Sequence, residues 1–287
     1  MTAARPTLRR LIFGLSTVLG LKARGIFIPY RHADRLPEPG RRDAYPQQGE
    51  LLRGREPAMR GWLDTLDGLD TELRAIPETG GPPEPRWRQG WFAPLDAAMA
   101  YTVVRTRKPR RIVEVGSGHS TRFLARAARD GGLETQITCI DPAPRATLEG
   151  QPVHFRQETL QEAGLAAVAE LLPGDLLFID SSHVLAPGSD VDLVLTQLLA
   201  HLPQGALVHL HDIFLPDDYP ADWAWRGYNE QSGIAPILTS GWRVLFASHY
   251  AATRMTDRVQ AGTVGRLPTE SEAIPSSLWL EKTAGRL

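Results

Sequence analysis

The spacing of apolar positions changes its period along the chain. Leu11, Ile12, Leu15, Val18 and Leu19 fall on one face of a helix, with Arg9, Arg10, Lys22 and Arg24 at its two ends. Residues 28–56 are rich in Pro, Arg and Gly and read as an extended connector. From Pro57 to about Ile76, Met59, Trp62, Leu63, Leu66, Leu69 and Leu73 recur at steps of three and four, which predicts one helix. The stretch Gly80-Gly-Pro-Pro-Glu-Pro breaks that pattern. A second helix opens at Trp91-Phe92-Ala-Pro and runs to about Thr106, stopping before Pro109.

Beyond residue 110 the chain becomes a series of short apolar, β-branched runs separated by helical ones. Strands are predicted at 111–115, 135–140, 153–155, 175–179, 206–210 and 242–246, the last closing the series. Helices are predicted at 120–129, 160–171, 190–201 and 227–239. Such alternation gives an α/β fold with a mainly parallel sheet covered on both faces. Right-handed crossovers then bring ligands to the carboxyl ends of the strands. The chain divides on this reading into an N-terminal helical and extended region, 1–90, and a domain, 91–287.

Composition narrows the partners. The chain is 42% hydrophobic and 23% charged, the mix of an ordinary globular protein. Its net charge of −1 gives no electrostatic reason to bind nucleic acid. The single cysteine, Cys139, excludes an internal disulfide and a cysteine-based zinc cluster, and its neighbours Thr138 and Ile140 place it as a core thiol. A reducing cytoplasm is the simplest compartment. The apolar run at 11–21 is too short to span a bilayer, and no small-x-small cleavage site follows it. Two readings of residues 9–28 stay open: an interfacial membrane helix, or a face packed on the protein itself or on a second subunit of a homo-oligomer.

The chemistry gathers at the strand ends. Glu114-Val-Gly116-Ser117-Gly118-His-Ser120-Thr121 follows the first strand and opens a helix. Glycines there let the backbone turn tightly and approach a ligand, as in dinucleotide folds. The third glycine of that fingerprint is missing, since position 121 is Thr. The carboxylate of Glu114 would repel a pyrophosphate but suits a ligand carrying an amine and a sulfonium, namely S-adenosylmethionine. Asp141, followed by Pro142, ends the second strand, where a carboxylate can accept the ribose hydroxyls. Gln157-Glu158-Thr159 follows the third strand, where a polar side chain such as Glu158 can meet the adenine amino group, or Thr159 can cap a helix. Strand four ends in Asp180 and His183, strand five in His211 and Asp212. If the two strands are neighbours, these four residues converge, and such a set can bind a divalent ion or supply a general base. Asp190 and Asp192 read as helix N-terminal residues. The stretch from Phe214 to Gln231, rich in aromatic and acidic residues, reads as an acceptor-side lid or pocket, or equally as the core of a loop or a dimer contact.

Taken together, Pro109 to Thr121, Ile140-Asp-Pro142, Phe178-Ile-Asp-Ser-Ser-His183 and His211-Asp-Ile-Phe214 resemble a class I S-adenosylmethionine-dependent methyltransferase. Within that class the similarity is to the small-molecule and sugar O-methyltransferase-like branch called methyltransferase family 24, over roughly residues 92–250. The resemblance implies a Rossmann-like three-layer α/β/α sandwich with a mostly parallel seven-stranded sheet, beside the N-terminal helical extension. It implies that Glu114, Gly116 and Gly118, with Ser117 and Ser120 in the same loop, hold the methionine part of the cofactor. Asp141 would lie at the ribose and Asp180 near the methyl group. In similar metal-dependent enzymes acidic residues at the ends of strands four and five hold magnesium, which here points to Asp180 and Asp212. Those enzymes usually place Asp or Asn after the strand-five Asp, where this chain has Ile213. The expected reaction is methyl transfer to a hydroxyl of a small-molecule acceptor, with His183 or His211, or a metal-bound hydroxyl, as the base. A nicotinamide-dependent oxidoreductase, an iron-dependent hydroxylase on a methyltransferase-like fold, and a non-catalytic or membrane-docked binding protein are the alternatives.

Overall fold

Strands form where apolar and β-branched runs predict them: β1 (Arg111–Val115), β2 (Gln136–Ile140), β3 (His154–Arg156), β4 (Leu176–Ile179), β5 (Leu207–Leu210) and β6 (Trp242–Ala247). A further strand, β7 (Leu278–Lys282), enters the sheet antiparallel between β5 and β6. The strand order is β3-β2-β1-β4-β5-β7-β6. β1 is parallel to both β2 and β4, and the order in which strands are added switches sides between β1 and β4, so a crevice opens above their carboxyl ends. This computed structural model describes residues 4–38, 42, 45–144, 146–270 and 273–285.

The helices are α1 (Ala4–Val18), α2 (Pro46–Arg53), α3 (Glu56–Asp67), α4 (Asp70–Arg74), α5 (Pro94–Arg107) and α6 (His119–Asp130). They continue with α7 (Leu160–Ala163), α8 (Asp190–Leu193), α9 (Leu199–His201), α10 (Glu230–Ile237), α11 (Ser248–Arg254) and α12 (Thr256–Ala261). Several differ from expectation. The connector at 28–56 contains α2, started by Pro46 at its first position, where a missing N–H costs nothing; its residues 39–41, 43 and 44 lie outside the described residues. The helix expected over 57–76 is broken at Gly68-Leu69 into α3 and α4. The helix expected over 160–171 shortens to α7 and a following 3₁₀ turn, Gly164–Ala167.

One core joins the two regions expected to be separate. Leu52, Met59, Leu63, Leu66 and Leu73 of α2 to α4 belong to the same buried cluster as the strands. Helix α5 is buried on every side from Pro94 to Val104, sandwiched into that cluster. Trp87 fastens the junction: its indole N–H donates to the Leu73 carbonyl at 3.2 Å, and its ring lies 5.1 Å from that of Phe123 in α6. At the other end, buried Lys282 donates to the carbonyls of Leu199, Ala200 and Leu202 at 2.8, 2.7 and 2.8 Å. A cation on the open carbonyls of a helix end satisfies groups that would otherwise be orphaned, and it ties β7 to α9.

The turn from β1 into α6 is fixed by Glu114. Its carboxylate accepts from Ser120 Oγ and Thr121 Oγ1, each at 2.6 Å, and from Cys139 Sγ at 3.3 Å. Thr121 Oγ1 in turn accepts the Gly118 N–H at 3.0 Å. Burial pushes the Glu114 carboxyl up to about 7, against these hydrogen bonds, which favour its charged form. Gly116, at φ +79°, sits so close to β4 that a Cβ would stand 1.8 Å from the Asp180 carbonyl oxygen. Only a residue without a side chain lets the loop and the end of β4 share this corner.

The folded-state value of Glu114 lies above its ordinary 4.5. Its contribution to stability is therefore full below about pH 4.5 and is lost as the pH climbs through about 7. That loss is on the order of 3 kcal/mol. Glu114→Gln keeps the shape without the charge, so its melting temperature should fall less between about pH 5 and pH 8.5 than that of the wild type, which loses the Glu114 contribution as well. Parallel slopes for the two proteins would show that Glu114 is not buried as described.

Candidate active site

Above the carboxyl ends of β1, β2 and β4 lies a cavity of ≈550 Å³. Gly116, Ser117, Asp141, Pro142 and Asp180 line it, with Thr159, Leu160 and Gln161 on one side and Ser181, Ser182, Val184 and Asp190 on the other. Asp141 shapes its floor. One carboxylate oxygen accepts the Ser117 N–H at 2.8 Å, the other the Ala143 N–H at 2.7 Å. Ser117 Oγ also donates to the first of these oxygens at 3.3 Å, while the oxygen that accepts from Ala143 keeps a second lone pair for a ligand's hydroxyl. Asp190 does more than begin a helix: it accepts the Ser182 N–H at 2.9 Å and holds the wall beside Asp180. The hydroxyl of Ser181 is buried with no hydrogen-bond partner among the described residues.

Not every residue assigned to the cofactor reaches this cavity. Glu114 and Ser120 lie beneath it, hydrogen-bonded to each other and fully or nearly fully buried. They set the position of the glycine loop and do not face the cavity. Side chains alternate along a strand, and at Glu114 that alternation turns the carboxylate toward α6. Gly118 is likewise buried outside the lining. Glu158 is ion-paired to Arg156, and the adjacent Thr159, Leu160 and Gln161 line the wall in its place. Thr159 also caps α7 with Glu162.

Deeper in, the ends of β4 and β5 do bring Asp180, His183, His211 and Asp212 together. The centre is His183, which is buried. Its Nε2 stands 3.3 Å from Asp180 Oδ1 and 3.4 Å from Asp212 Oδ2, and its Nδ1 is 2.9 Å from Glu230 Oε2. Both His183 (φ 59°) and Asp212 (φ 54°) have left-handed backbones, which cost of order 1–3 kcal/mol in residues other than glycine. Asn229, at the entry to α10, clamps the His183 loop: its side chain bonds Leu185 N and O at 2.6 and 3.1 Å, and its N–H donates to the His183 carbonyl at 3.1 Å. His211 sits behind, with Nε2 3.7 Å from Asp212 Oδ1, above the buried carboxylate of Asp96. Asp96 is held by the N–H groups of Ser276 and Ser277 at 2.9 and 3.1 Å, and Ser276 Oγ donates to Asp212 Oδ1 at 3.1 Å.

These groups set one another's charge. Burial favours the neutral form of His183, yet Asp212, Asp180 and Glu230 outweigh it and hold the imidazole protonated well above its usual range. His211 is raised in the same way by Asp180, Asp212 and Asp96 against burial. Burial alone would raise Asp180, but His211 and His183 hold it well below the usual carboxylate range. Glu230 is raised, because burial outweighs its bond to His183. Neither Glu230 nor Asp96 was assigned to the site from sequence. The one signal for Glu230 is an acidic residue opening a helix at the end of an aromatic stretch.

The expected metal pair does not fit. Asp180 and Asp212 are bridged by His183 Nε2, so the imidazole stands where a shared divalent ion would. Among the described residues no group of three or more His, Cys, Asp or Glu side chains is arranged to hold an ion.

The aromatic insertion forms a wall of its own. Phe214, Tyr219, Trp223 and Tyr228 pack edge to face, with ring centroids 5.2–6.0 Å apart, and the Arg226 guanidinium lies 3.8 Å above Trp223. Tyr219, Trp223 and Tyr228 border a second cavity of ≈350 Å³, closed on its far side by Leu36, Pro37 and Arg42. Tyr228 belongs to both places, since its ring centroid is 4.7 Å from that of His183. The imidazole itself lines neither cavity, but it adjoins Asp180 of the larger one and Tyr228 of the aromatic one.

Residues 113–213 match the profile of a family described as a methyltransferase domain. A comparison with curated proteins gives no match. Among solved structures the chain is similar to an SAH-bound methyltransferase from Podospora anserina, at 18% identity over 91% of this chain and 100% of that one, with a TM-score of 0.41. It is also similar to an O-methyltransferase from Bacillus cereus in complex with SAH, at 14% identity over 78% and 91% of the two chains, with a TM-score of 0.40. The glycine motif, the crevice between β1 and β4 and the family match all fall on one stretch, residues 113–213, and that stretch is similar to a methyltransferase domain.

Proposed function

We propose that this protein transfers a methyl group from S-adenosylmethionine to a hydroxyl of a small molecule with a flat or aromatic face, using His183 as the base. The observation that carries this reading is the place of His183: a buried, conformationally strained imidazole that adjoins Asp180 of one cavity and Tyr228 of the other. The larger cavity suits the methyl donor. Ile140, Pro142 and Leu160 offer an apolar slot, Asp141 offers an acceptor for a ribose hydroxyl, and Asp180 marks the end nearest His183. The aromatic cavity suits the acceptor, since Tyr228, Tyr219 and Trp223 present faces and edges on which a ring or a sugar can stack.

S-adenosylmethionine supplies a methyl already activated on a sulfonium, which departs as a neutral thioether. The protein's tasks are then orientation and removal of one proton. Glu230 accepts from His183 Nδ1 and fixes the ring, so that Nε2 faces Asp180 and Asp212. An acceptor hydroxyl entering beside Asp180 gives its proton to Nε2 as its oxygen bonds to carbon. The resulting imidazolium is the form that the surrounding carboxylates favour. The same carboxylates hold the resting imidazole protonated, and it must lose that proton before it can accept another.

Calorimetric titration with S-adenosylhomocysteine tests the donor side. Asp141→Ala should weaken binding by about 10- to 100-fold through lost hydrogen bonds, and Gly116→Ala should abolish it by forcing the loop off β4. Unchanged affinity in both variants would sink the assignment of this cavity. On the acceptor side, a panel of phenols, catechols and sugars is assayed with labelled methyl donor. His183→Asn, chosen because Asn tolerates a left-handed backbone, should keep donor affinity within about threefold and lose about 10²- to 10⁴-fold in rate. The wild-type rate should climb with pH above neutrality, as His183 is freed of its proton. A flat profile, or a fully active His183→Asn, would assign the base elsewhere.

A further inference from the structure

Residues 8–36 have a surface unlike the rest of the molecule. In α1 the large apolar side chains Leu8, Leu11, Ile12, Leu15, Val18 and Leu19 are all 53–67% exposed. At about 100° per residue they form one stripe roughly 120° wide. The half-buried positions are Phe13, Ser16 and Thr17, on the opposite side. That side is covered by the chain's own continuation. Ser16 Oγ donates to the Lys22 carbonyl at 2.9 Å, Thr17 Oγ1 accepts the Arg24 N–H at 2.9 Å, and the guanidinium groups of Arg9 and Arg24 lie 5.1 and 5.2 Å from the centroid of the Phe13 ring. Arg10 anchors the helix to the body by donating to the Ala224 carbonyl at 3.3 Å. The protein thus covers the polar side of its amphipathic helix and leaves the apolar side facing out.

The following stretch keeps the same character, with Leu21, Ile26, Phe27 and Ile28 59–77% exposed. Charge is segregated with it. Residues 1–36 contain seven basic side chains and one acidic, a net of +6 in a chain whose total is −1. An apolar stripe flanked by arginines and lysine matches the boundary between acyl chains and anionic headgroups. At 15 residues α1 is roughly 22 Å long, too short for a bilayer core of about 30 Å. No helix among the described residues is long and apolar enough to cross a membrane.

We infer that residues 4–36 dock the protein on anionic lipid surfaces, with α1 lying in the interface and its apolar stripe toward the acyl chains. The segment also borders both cavities: Ile26 lines the larger one, and Leu36 and Pro37 line the aromatic one. The docked face therefore adjoins the openings through which ligands pass.

Co-sedimentation of the full chain with phosphatidylcholine vesicles, with and without phosphatidylglycerol, tests this inference. Binding should be at least about tenfold stronger on the anionic vesicles and should weaken with salt. The double variant Leu11→Glu/Leu15→Glu should lose it, and Arg9→Glu/Arg10→Glu should lose the preference for anionic lipid. Near-ultraviolet circular dichroism and S-adenosylhomocysteine titration check that the first variant remains folded, since neither stripe residue lines a cavity. Failure of the wild type to bind either vesicle would overturn the inference, as would undiminished binding by Leu11→Glu/Leu15→Glu. So would a wild-type dimer in sedimentation equilibrium that this variant dissolves, because the stripe would then be a subunit contact.

Discussion

Buried charge under the carboxyl ends of β4 and β5 is the constraint around which the C-terminal half is arranged. Asp96, Asp212, Glu230, His183 and His211 are all buried, with Asp180 at the cavity rim. An isolated ion in such surroundings would cost several kcal/mol, and removing one member of a buried pair typically costs about 3–5 kcal/mol. Each carboxylate here is met by an imidazole or by backbone N–H groups. The partners come from distant segments. Ser276 and Ser277 arrive with the approach to β7, and Glu230 arrives with α10 after the long aromatic excursion from β5. The antiparallel insertion of β7 is thus more than a way to cover the sheet edge; it delivers the donors that satisfy Asp96 and Asp212. The left-handed conformations of His183 and Asp212 persist because this network over-determines them.

The sheet was largely legible in the sequence because parallel strands buried on both faces appear as unbroken apolar runs. β1 matches its expected bounds, and β2 to β6 lie within a residue of theirs. β7 escaped notice for a physical reason. It is antiparallel, it follows two short helices and a turn, and no helix after it completes an alternation. Its apolar core, Leu278-Trp279-Leu280, carries no flanking signal that distinguishes it from a buried loop. α2 was hidden by Pro46, which reads as a breaker yet is tolerated at a helix start. The break between α3 and α4 at Gly68 interrupts no apolar spacing, so periodicity runs straight across it.

The site divides along the same line. Sequence spacing identifies which residues lie at strand ends, and Asp141, Asp180, His183, His211 and Asp212 are all found there. It says less about which way a side chain turns. Glu114 occupies a motif position and still faces α6, and Glu158 pairs with Arg156 while its neighbours line the cavity. Metal coordination fails on a similar point of direction. Two carboxylates at adjacent strand ends suggest an ion, but His183, brought in by its positive φ, already occupies the space between them.

The larger cavity and the aromatic cavity also differ in how they are held. The larger cavity is built on strand ends and on the loop that Glu114 and Gly116 lock against β4, so its geometry is inherited from the sheet. The aromatic cavity is built from a 3₁₀ turn at Ala221–Arg226, from Tyr228, and from Leu36 and Pro37 of the N-terminal segment. These pieces are joined to one another by ring contacts, by the stacked guanidinium of Arg226, by the ion pair of Arg42 with Asp218 and by the bond from Arg10 to Ala224. A wall held by side-chain contacts tolerates sequence change more readily than one formed by a backbone turn against a strand. That difference explains why the family match reaches the larger cavity through short fixed motifs and stops short of the aromatic cavity, whose shape is set by residues that no motif contains.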